Sequence, residues 1–316
     1  MLRVDGDDHT RMRRLVAQAF TPRAIERWRV RATELTEELL DVFEERGGGD
    51  ALHDFALPLP ATVISDMLGV PKADLEKLRG WSHAMAKTLD AVNTEDEQRR
   101  SVDAAIAMDS YLREVYDAKV SEPADDIFSA LIAAEHDGDR LTKNEVISNI
   151  RLLYVAGHET TTNLIGNGLV ELFRHPDQLE MVRASDEHDT NLVEEVLRFN
   201  SPVQMTRRIP DHDIEVSGTT IPAGSVILLC AVSANRDPRK FGPTADEFDI
   251  TRADAKDQLS FGGGAHFCLG AALARLEGAI AIPRIIRRFP ELALAAEPEF
   301  EPRVVLRGVS RLDVTV

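Results

Sequence analysis

The sequence predicts a mainly α-helical fold with a smaller β part. Apolar residues recur at helical spacing between turn signals through the first two-fifths of the chain, and glycines at 47–49 end one of these helices. β-branched runs beside Ser-Gly and Pro-Ala-Gly turns at 213–232 indicate hairpin strands, and residues 304–316 indicate further strands. Because no linker composition interrupts the chain, we expect a single domain over residues 1–316.

One long helix is the most informative of the predicted elements. Thr142 and Glu145 form a capping box at its start, and Pro176 follows its end at His175. The middle of this segment, residues 152–168, is apolar apart from one polar cluster. A helix that is apolar on most sides is buried, and a buried polar cluster needs partners or a purpose. We therefore expect this helix to cross the centre of the domain and to carry functional side chains.

Composition limits the classes of function. The chain of 316 residues carries a formal net charge of −17, which argues against nucleic-acid binding because that requires clustered Lys and Arg. Small molecules or protein partners fit better. The two cysteines, Cys230 and Cys268, lie far apart in the sequence and favour reduced thiols in a cytoplasmic protein. Because the sequence lacks an uninterrupted apolar run long enough to cross a bilayer, we expect no membrane association.

Cys268 stands between a glycine-rich loop and a predicted helix over about 268–289. Gly262 and the glycines after it allow a bulky group to approach the backbone, and Gly270 leaves the far side open. Backbone N–H groups and the helix dipole favour a thiolate at a helix N-terminus. Since no Cys or His cluster completes a tetrahedral zinc site, a single thiolate points to a metal held by a macrocycle, with haem the natural candidate.

The segment FGGGAHFCLGAALARLEG at 261–278 closely resembles the cysteine-ligand loop of the cytochrome P450 (haem-thiolate monooxygenase) family, in its soluble bacterial form. Further matches occur in the family's order: AGHETT at 156–161, EEVLR at 194–198 and ANRDPRKFGPTADEFDITR at 234–252. Together these motifs span most of the chain. The resemblance implies the cytochrome P450 fold and a haem b (iron protoporphyrin IX) cofactor.

The resemblance also implies an activity, that of a monooxygenase inserting one oxygen atom of O₂ into a small apolar organic substrate. Electrons are expected from NAD(P)H through a ferredoxin reductase and a ferredoxin. Family members that draw on hydrogen peroxide directly tend to lack an acid–alcohol pair such as Glu159 and Thr160, so this chain is expected to use dioxygen. The arginines at or near the helix after the cysteine form either a docking patch for an acidic ferredoxin or a solvated face: Arg275, Arg284, Arg287 and Arg288.

Carried over residue by residue, the resemblance makes Cys268 the axial ligand of the iron. The expected haem-binding residues either pair with the propionates or lie against the ring. The propionate partners are His9, Arg13, Arg208 and His266, and the residues against the ring are Ala156, Phe261, Gly262 and Gly270. Cationic donors suit a buried carboxylate because charge-assisted hydrogen bonds offset its desolvation.

Glu159 and Thr160 match the catalytic acid–alcohol pair of the family's long helix. A threonine in mid-helix commonly bonds back to the preceding turn, but the apolar surroundings here favour a functional role. Gly157 predicts a loosened helix with a notch for dioxygen and a water. The resemblance implies that Thr160 and Glu159 deliver protons during dioxygen activation.

Two further groups of residues follow from the resemblance. Glu195 and Arg198, with Arg252, match a buried network that supports folding and the haem loop. The substrate-pocket candidates suggest a mostly apolar cavity with a few polar anchors: Val155, Val203, Gln204, Met205, Val309 and Ser310. A terpenoid, a steroid, a fatty acid and a polyketide all remain open as substrates.

Family members normally carry a substantial N-terminal segment before the position matched by residues 7–14. We therefore expect an N-terminally truncated form of the fold, without the early strands and the loop that roofs the pocket. A strand at 204–208 would then have an unpaired edge. Two alternatives to an active monooxygenase stay open: a non-catalytic relative that activates a partner enzyme, and an inactive truncated fragment. Relatives of the first kind tend to lose the cysteine ligand, which is present here as Cys268.

Overall fold

The computed structural model describes residues 1–2, 4–90, 93–136 and 138–316. Helices carry most of the structure, as the sequence predicts: α1 (Gly6–Ala17), α2 (Pro22–Glu26), α3 (Trp28–Glu45), α4 (Pro58–Leu68), α5 (Leu75–Lys87), α6 (Glu95–Ser121), α7 (Ile127–Ala133), α8 (Lys143–Arg174), α9 (Pro176–Ala184), α10 (Asp189–Phe199), α11 (Ala231–Ala234), α12 (Pro238–Phe241) and α13 (Ala271–Arg288). The strands are short: β1 (Gly48–Asp50), β2 (Glu135–His136), β3 (Asp139–Arg140), β4 (Met205–Arg208), β5 (Ile214–Val216), β6 (Thr219–Ile221), β7 (Ile227–Cys230), β8 (Ala293–Leu294), β9 (Glu299–Phe300), β10 (Val309–Arg311) and β11 (Asp313–Thr315).

The predicted long helix is confirmed as α8. The Thr142 hydroxyl accepts from the Glu145 N–H at 3.3 Å, and the Glu145 carboxylate accepts from the Thr142 N–H at 2.7 Å, which completes the predicted capping box. The helix ends at Arg174, just before Pro176 starts α9. It packs against α4, α6, α10 and α13. The polar cluster at 158–162 therefore lies among packed helices.

Two close contacts fix how α8 and α13 pack. A methyl group at Gly278 would meet Leu164 Cδ2 at 3.3 Å, and one at Gly168 would meet Ile282 Cδ1 at 2.6 Å. Going from Leu164 to Gly168 on α8, the contacted residue on α13 changes from Gly278 to Ile282. The two helices are therefore parallel. The loop that carries Cys268, which precedes α13, therefore lies toward the same end of the helix pair as the turn of α8 that precedes Leu164.

The β part consists of small antiparallel sheets. β5 and β6 form the predicted hairpin, in which Ser217 (φ 49°) and Gly218 (φ 78°) make the turn. Successive positive φ angles give a tight turn whose twist matches that of the strands. In the described residues β4 pairs with β7 and with no other strand. The chain just before β4 is met by another segment, because the Gln204 N–H donates to the Val305 carbonyl at 2.9 Å.

The last strand joins distant parts of the chain. β11 pairs with β1 on one side and with β8 on the other, so Val314 lies opposite both Gly49 and Leu294. This sheet holds the C-terminal end of the chain against the segment that follows α3. Of the helices in the described residues, none combines the length and the hydropathy that are needed to cross a membrane.

Candidate active site

Cys268 lies in a tight loop ahead of α13. Its N–H donates to the Phe261 carbonyl at 2.9 Å, which folds the loop back on itself. Gly262 (φ +71°) and Gly264 (φ +68°) adopt a backbone conformation that side-chain-bearing residues rarely enter. The sequence predicted a helix that starts at about Cys268, but α13 begins at Ala271, so the cysteine lies in the loop before the helix.

Burial raises the pKa of the Cys268 thiol, although a hydrogen bond from the Gly270 N–H and the positive charges of Arg13 and Arg275 act in the opposite direction. The sequence analysis expected the helix N-terminus to favour the thiolate. Desolvation outweighs that effect here, because the sulfur is mostly removed from water and lies ahead of the first turn. A bound cation is the further charge that would favour the thiolate form at this position.

Three of the four predicted propionate partners, His9, Arg208 and His266, act on one carboxylate, that of Asp5. The His266 Nε2–H donates to Asp5 Oδ1 at 2.7 Å. The His9 ring lies on the His266 ring with their centroids 4.1 Å apart. This hydrogen bond holds the pKa of the Asp5 carboxyl below its ordinary value, and the charges of His266, His9 and Arg208 act in the same direction. The cluster therefore binds a carboxylate in the structure itself.

His9 contributes a nitrogen that no described residue satisfies. The side chain is buried, and its Nε2 has no hydrogen-bond partner in the described part of the chain. Burial lowers the pKa of this imidazole, and the charges of His266 and Arg13 lower it further. Arg13 itself donates to the Phe267 carbonyl at 2.6 Å, which ties α1 to the cysteine loop. Arg208, in β4, donates to the Arg207 carbonyl at 2.9 Å.

Apolar and open positions surround the cysteine loop. A methyl group at Gly262 or Gly270 would meet no heavy atom of the described residues within 4 Å. Ala156 is exposed although it stands in the middle of a helix whose neighbours are mostly buried. The Phe261 ring is half-buried, and the Arg275 guanidinium lies 4.6 Å from its centroid.

Glu159 is a buried carboxylate with two partners from other elements. The His83 Nδ1–H, on α5, donates to Oε1 at 3.1 Å, and Arg303 Nη1 lies 3.5 Å from Oε2. The Thr160 hydroxyl, half-buried, donates to the Ala156 carbonyl at 2.8 Å. His83 and Arg303 lie 76 and 144 residues from Glu159 in sequence. The sequence analysis missed both, because no spacing rule connects residues so far apart.

The predicted loosening of the helix at Gly157 is wrong. α8 is continuous from end to end, and the Thr161 hydroxyl donates to the Gly157 carbonyl at 3.2 Å within the regular turn. Gly157 instead permits close packing, because a methyl group there would lie 3.1 Å from Ile64 Cγ1 on α4. The small residue serves the contact between the two helices.

Glu195, Arg198 and Arg252 meet in the core. Arg198 forms a bidentate pair with Glu195 at 2.7 Å for both contacts, and the two side chains are fully buried. Arg252 Nε lies 3.6 Å from Glu195 Oε1. Arg198 also donates to the Asn235 and Ala245 carbonyls at 2.9 and 2.7 Å. These bonds hold the irregular segment that leads into the cysteine loop against α10.

Two of the expected substrate-pocket residues make contacts within the protein. Val309 is buried in the core, where its Cγ2 would lie 3.3 Å from a methyl group at Gly166. Ser310 donates to the Glu299 carbonyl at 3.2 Å inside the β9–β10 pair. The segment 303–306 meets Glu159 through Arg303, so it is a further candidate that the sequence analysis did not name. The other candidates are partly accessible or next to that segment: Val155, Val203, Gln204 and Met205.

A model of the cytochrome P450 family matches residues 1–188 and 190–308. The chain belongs to the cytochrome P450 family. It is 41% identical over 318 residues to Cytochrome P450 107B1 of Saccharopolyspora erythraea, a match that covers 99% of this chain and 76% of the relative. It is also 41% identical over 322 residues to the Vitamin D(3) 25-hydroxylase of Pseudonocardia autotrophica, covering 100% of this chain and 77% of the relative.

Solved cytochrome P450 structures share the fold. The structure of PksS, a cytochrome P450 of a Bacillus subtilis polyketide synthase, superposes with a TM-score of 0.92 at 38% identity, covering 98% of this chain and 79% of that one. This confirms the predicted fold class, and the relatives' names identify the chain as a cytochrome P450-type monooxygenase, an oxidoreductase.

The residues of this cytochrome P450 fit the haem that the family carries. A bulky planar iron-containing group with two carboxylates needs a ligand for its iron, donors for its acids and apolar space. Cys268 offers the sulfur, His9 an unsatisfied buried nitrogen, and His266 a donor that already binds a carboxylate. The open positions at Gly262 and Gly270 leave the loop accessible from one side.

The arginines of this cytochrome P450 at or near α13 do not form a free basic patch. Each pairs with an acid of the same chain: Arg275 with Glu194, Arg284 with Glu37, Arg287 with Asp189, and Arg288 with Asp41 and Glu44. Their charges are therefore largely neutralised within the protein. This favours the solvated face over the docking patch that the sequence analysis left open.

Proposed function

We propose that this protein is a haem b monooxygenase that inserts one oxygen atom of O₂ into an apolar organic substrate. The second oxygen atom leaves as water, with two electrons and two protons consumed. The observation that carries the proposal is the Cys268 thiol, which accepts from the Gly270 N–H and lies in the same loop as His266, the donor to the Asp5 carboxylate. A monooxygenase of this class needs both features next to each other.

Cys268 would bind the iron, and His9, Arg13, Arg208 and His266 would bind the propionates, with His266 exchanging Asp5 for a propionate oxygen. Phe261, Gly262, Gly270 and Ala156 would lie against the ring. When bound, haem supplies the iron at which dioxygen is reduced and from which oxygen passes to the substrate. Partial burial limits the contact of the thiol with water, which helps to protect the sulfur from side reactions.

Glu159 and Thr160 would move protons during the reaction. The Thr160 hydroxyl uses its hydrogen on the Ala156 carbonyl, so its oxygen keeps lone pairs that can accept a hydrogen bond. Glu159 directly precedes Thr160 on the same turn and is held by partners from two other elements. A carboxyl group fixed in this way can hold a proton and pass it to a hydroxyl or a water beside it.

The electron source we propose is NAD(P)H, through a ferredoxin reductase and a ferredoxin. The acid–alcohol pair supports this assignment, because direct use of peroxide does not require delivery of two protons to dioxygen. Both cysteines are free thiols, which supports a place in the reducing cytoplasm. The half-buried Val155 and the segment 303–306 suggest a substrate with a large apolar body, for example a polyketide or a steroid.

The absorbance spectrum of the reduced, carbon-monoxide-bound protein, expressed with a haem supply, tests the proposal. The wild type should show the strongly red-shifted Soret band of a thiolate ligand. Cys268→Ala should lose that band, while His266→Ala should keep its position and lose haem more readily. Equal loss in both variants, or an unshifted band in the wild type, would contradict the ligand assignment.

A further inference from the structure

His83 lies between solvent and the buried carboxylate of Glu159. Its imidazole, on α5, is 52% exposed, whereas the Glu159 side chain on α8 is 11% exposed. The Nδ1 to Oε1 distance of 3.1 Å is that of a hydrogen bond. The ring therefore lies partly in water and partly against the acid that the proposed function uses.

The other partner of Glu159 cannot supply protons. Arg303 is 9% exposed and lies 3.5 Å from Oε2, and an arginine guanidinium does not give up its proton in proteins. Arg303 also pairs with Glu301 at 3.3 Å. It fixes the position of the carboxylate and balances its charge. Of the two groups that hold Glu159, only the imidazole has ring nitrogens that can both donate and accept a proton.

Two other charged or titratable groups near His83, Arg79 and His158, have partners of their own. Arg79, one turn earlier on α5, pairs with Glu76 on the same helix. His158, next to Glu159 on α8, has its Nδ1 2.8 Å from the Tyr154 carbonyl, and burial lowers its pKa. A neutral, buried His158 has no direct contact with solvent. This leaves the exposed His83 imidazole as the group through which protons from solvent reach Glu159.

We propose that His83 is a positioning residue that orients Glu159 and passes protons to it from solvent. This inference rests on the proposed function. In each transfer the His83 imidazolium gives its Nδ1 proton to Glu159 Oε1, leaving a neutral imidazole and a neutral carboxylic acid. Glu159 then releases a proton toward Thr160, and the half-exposed imidazole takes up the next proton from water. No redox step is involved, and one proton moves at each stage.

The first test is independent of haem and of turnover. Ring ¹⁵N resonances are recorded for histidine-labelled wild-type protein and for Glu159→Gln. The variant removes the charged acceptor, so the His83 Nδ1 resonance should shift by several ppm. The His53 resonances serve as an internal reference, because this ring is similarly exposed and pairs with Asp50 at 2.7 Å. An unchanged His83 resonance would overturn the proposal.

The second test follows NADPH oxidation by the haem-loaded protein with a plant-type ferredoxin and its reductase, without added organic substrate, over pH 6–8 in H₂O and D₂O. His83→Gln keeps a hydrogen-bond donor that cannot exchange protons near neutral pH. We expect it to lower the rate by about tenfold and to flatten its pH profile. The matched control His53→Gln should retain the wild-type rate and profile.

The outcomes separate the two proposals. In one outcome, the wild type shows the thiolate spectrum and normal turnover while His83→Gln leaves the pH profile and the solvent isotope effect unchanged. That result would overturn the role of His83 alone. A lower rate with an unchanged pH profile would also overturn it, because that is the result of a purely structural contact. A wild type that shows neither the spectrum nor NADPH oxidation would overturn the proposed function and this inference with it.

Discussion

The Thr161 hydroxyl on α8 lies beside the Glu277 carboxyl on α13 but donates to the Gly157 carbonyl at 3.2 Å. Both oxygens of Glu277 are consequently buried without a hydrogen-bond partner among the described residues. Burial raises the pKa of this carboxyl to about 8. The contact between α8 and α13 thus contains a carboxylic acid that is protonated in the folded protein at neutral pH.

Glu277→Gln should stabilise the protein in a pH-dependent way. The pKa of this carboxyl is near 4.5 in the unfolded chain and about 8 in the folded one. The free energy of unfolding of the wild type is therefore highest below pH 4.5 and falls as the pH rises from 4.5 to 8. At pH 7 the variant should gain up to about 3 kcal/mol, at roughly 1.4 kcal/mol per pH unit. Near pH 4.5 the variant and the wild type should unfold alike. Urea unfolding at both values measures this, with the exposed Glu45→Gln as control; equal gains at both pH values would refute the burial argument.

Arg198→Ala should strongly destabilise the fold. The substitution leaves the Glu195 carboxylate buried and without its bidentate partner, which typically costs 3–5 kcal/mol. Chemical denaturation of the purified variant gives the loss in free energy of unfolding. Arg239→Ala is the matched control, because its pair with Asp237 is exposed and should contribute less than about 1 kcal/mol. Similar losses in the two variants would show that burial does not decide the strength of these pairs.

Thr160→Ala should uncouple reductant consumption from product formation. Without the hydroxyl, proton delivery from Glu159 is interrupted, and a larger share of the dioxygen consumed should leave as peroxide. The ratio of peroxide to NADPH consumed by the haem-loaded protein measures this share. Thr162→Ala removes an equivalent hydroxyl, bonded to the His158 carbonyl at 2.9 Å but buried, and should leave the ratio unchanged. Equal effects of both substitutions would assign the loss to the helix and not to the relay.

Gly168→Ala should destabilise the contact between α8 and α13. The added methyl group would lie 2.6 Å from Ile282 Cδ1, which forces the isoleucine or the helix to move at a cost of about 1–3 kcal/mol. Ile282→Val, which removes that Cδ1 atom, should recover part of the loss in the double variant, as thermal unfolding would show. The methyl group of Gly80→Ala on α5 would have no heavy atom of the described residues within 4 Å, outside its own turn of helix. This variant should raise the free energy of unfolding by about 0.5–1 kcal/mol. An absence of rescue would mean that the two side chains do not meet.

Local sequence signals determined much of the fold. The capping box of Thr142 and Glu145, the hairpin turn at Ser217 and Gly218 and the spacing of apolar residues each act over a few neighbouring positions. Physical rules for such short ranges are strong, so these elements were predictable. The sequence also determined the family, because the cysteine loop and its companion motifs are themselves local patterns.

Only the tertiary structure decided which distant side chains meet. His83 and Arg303 reach Glu159 across 76 and 144 residues, and Asp5 reaches His266 across 261. The burial of Val309 also depends on a distant segment, because its side chain packs against Gly166 on α8. Periodicity and caps describe the conformation of each segment, whereas these contacts depend on how whole helices pack. Packing is set by the sum of many weak contacts over the chain, and no short pattern in the sequence encodes that sum.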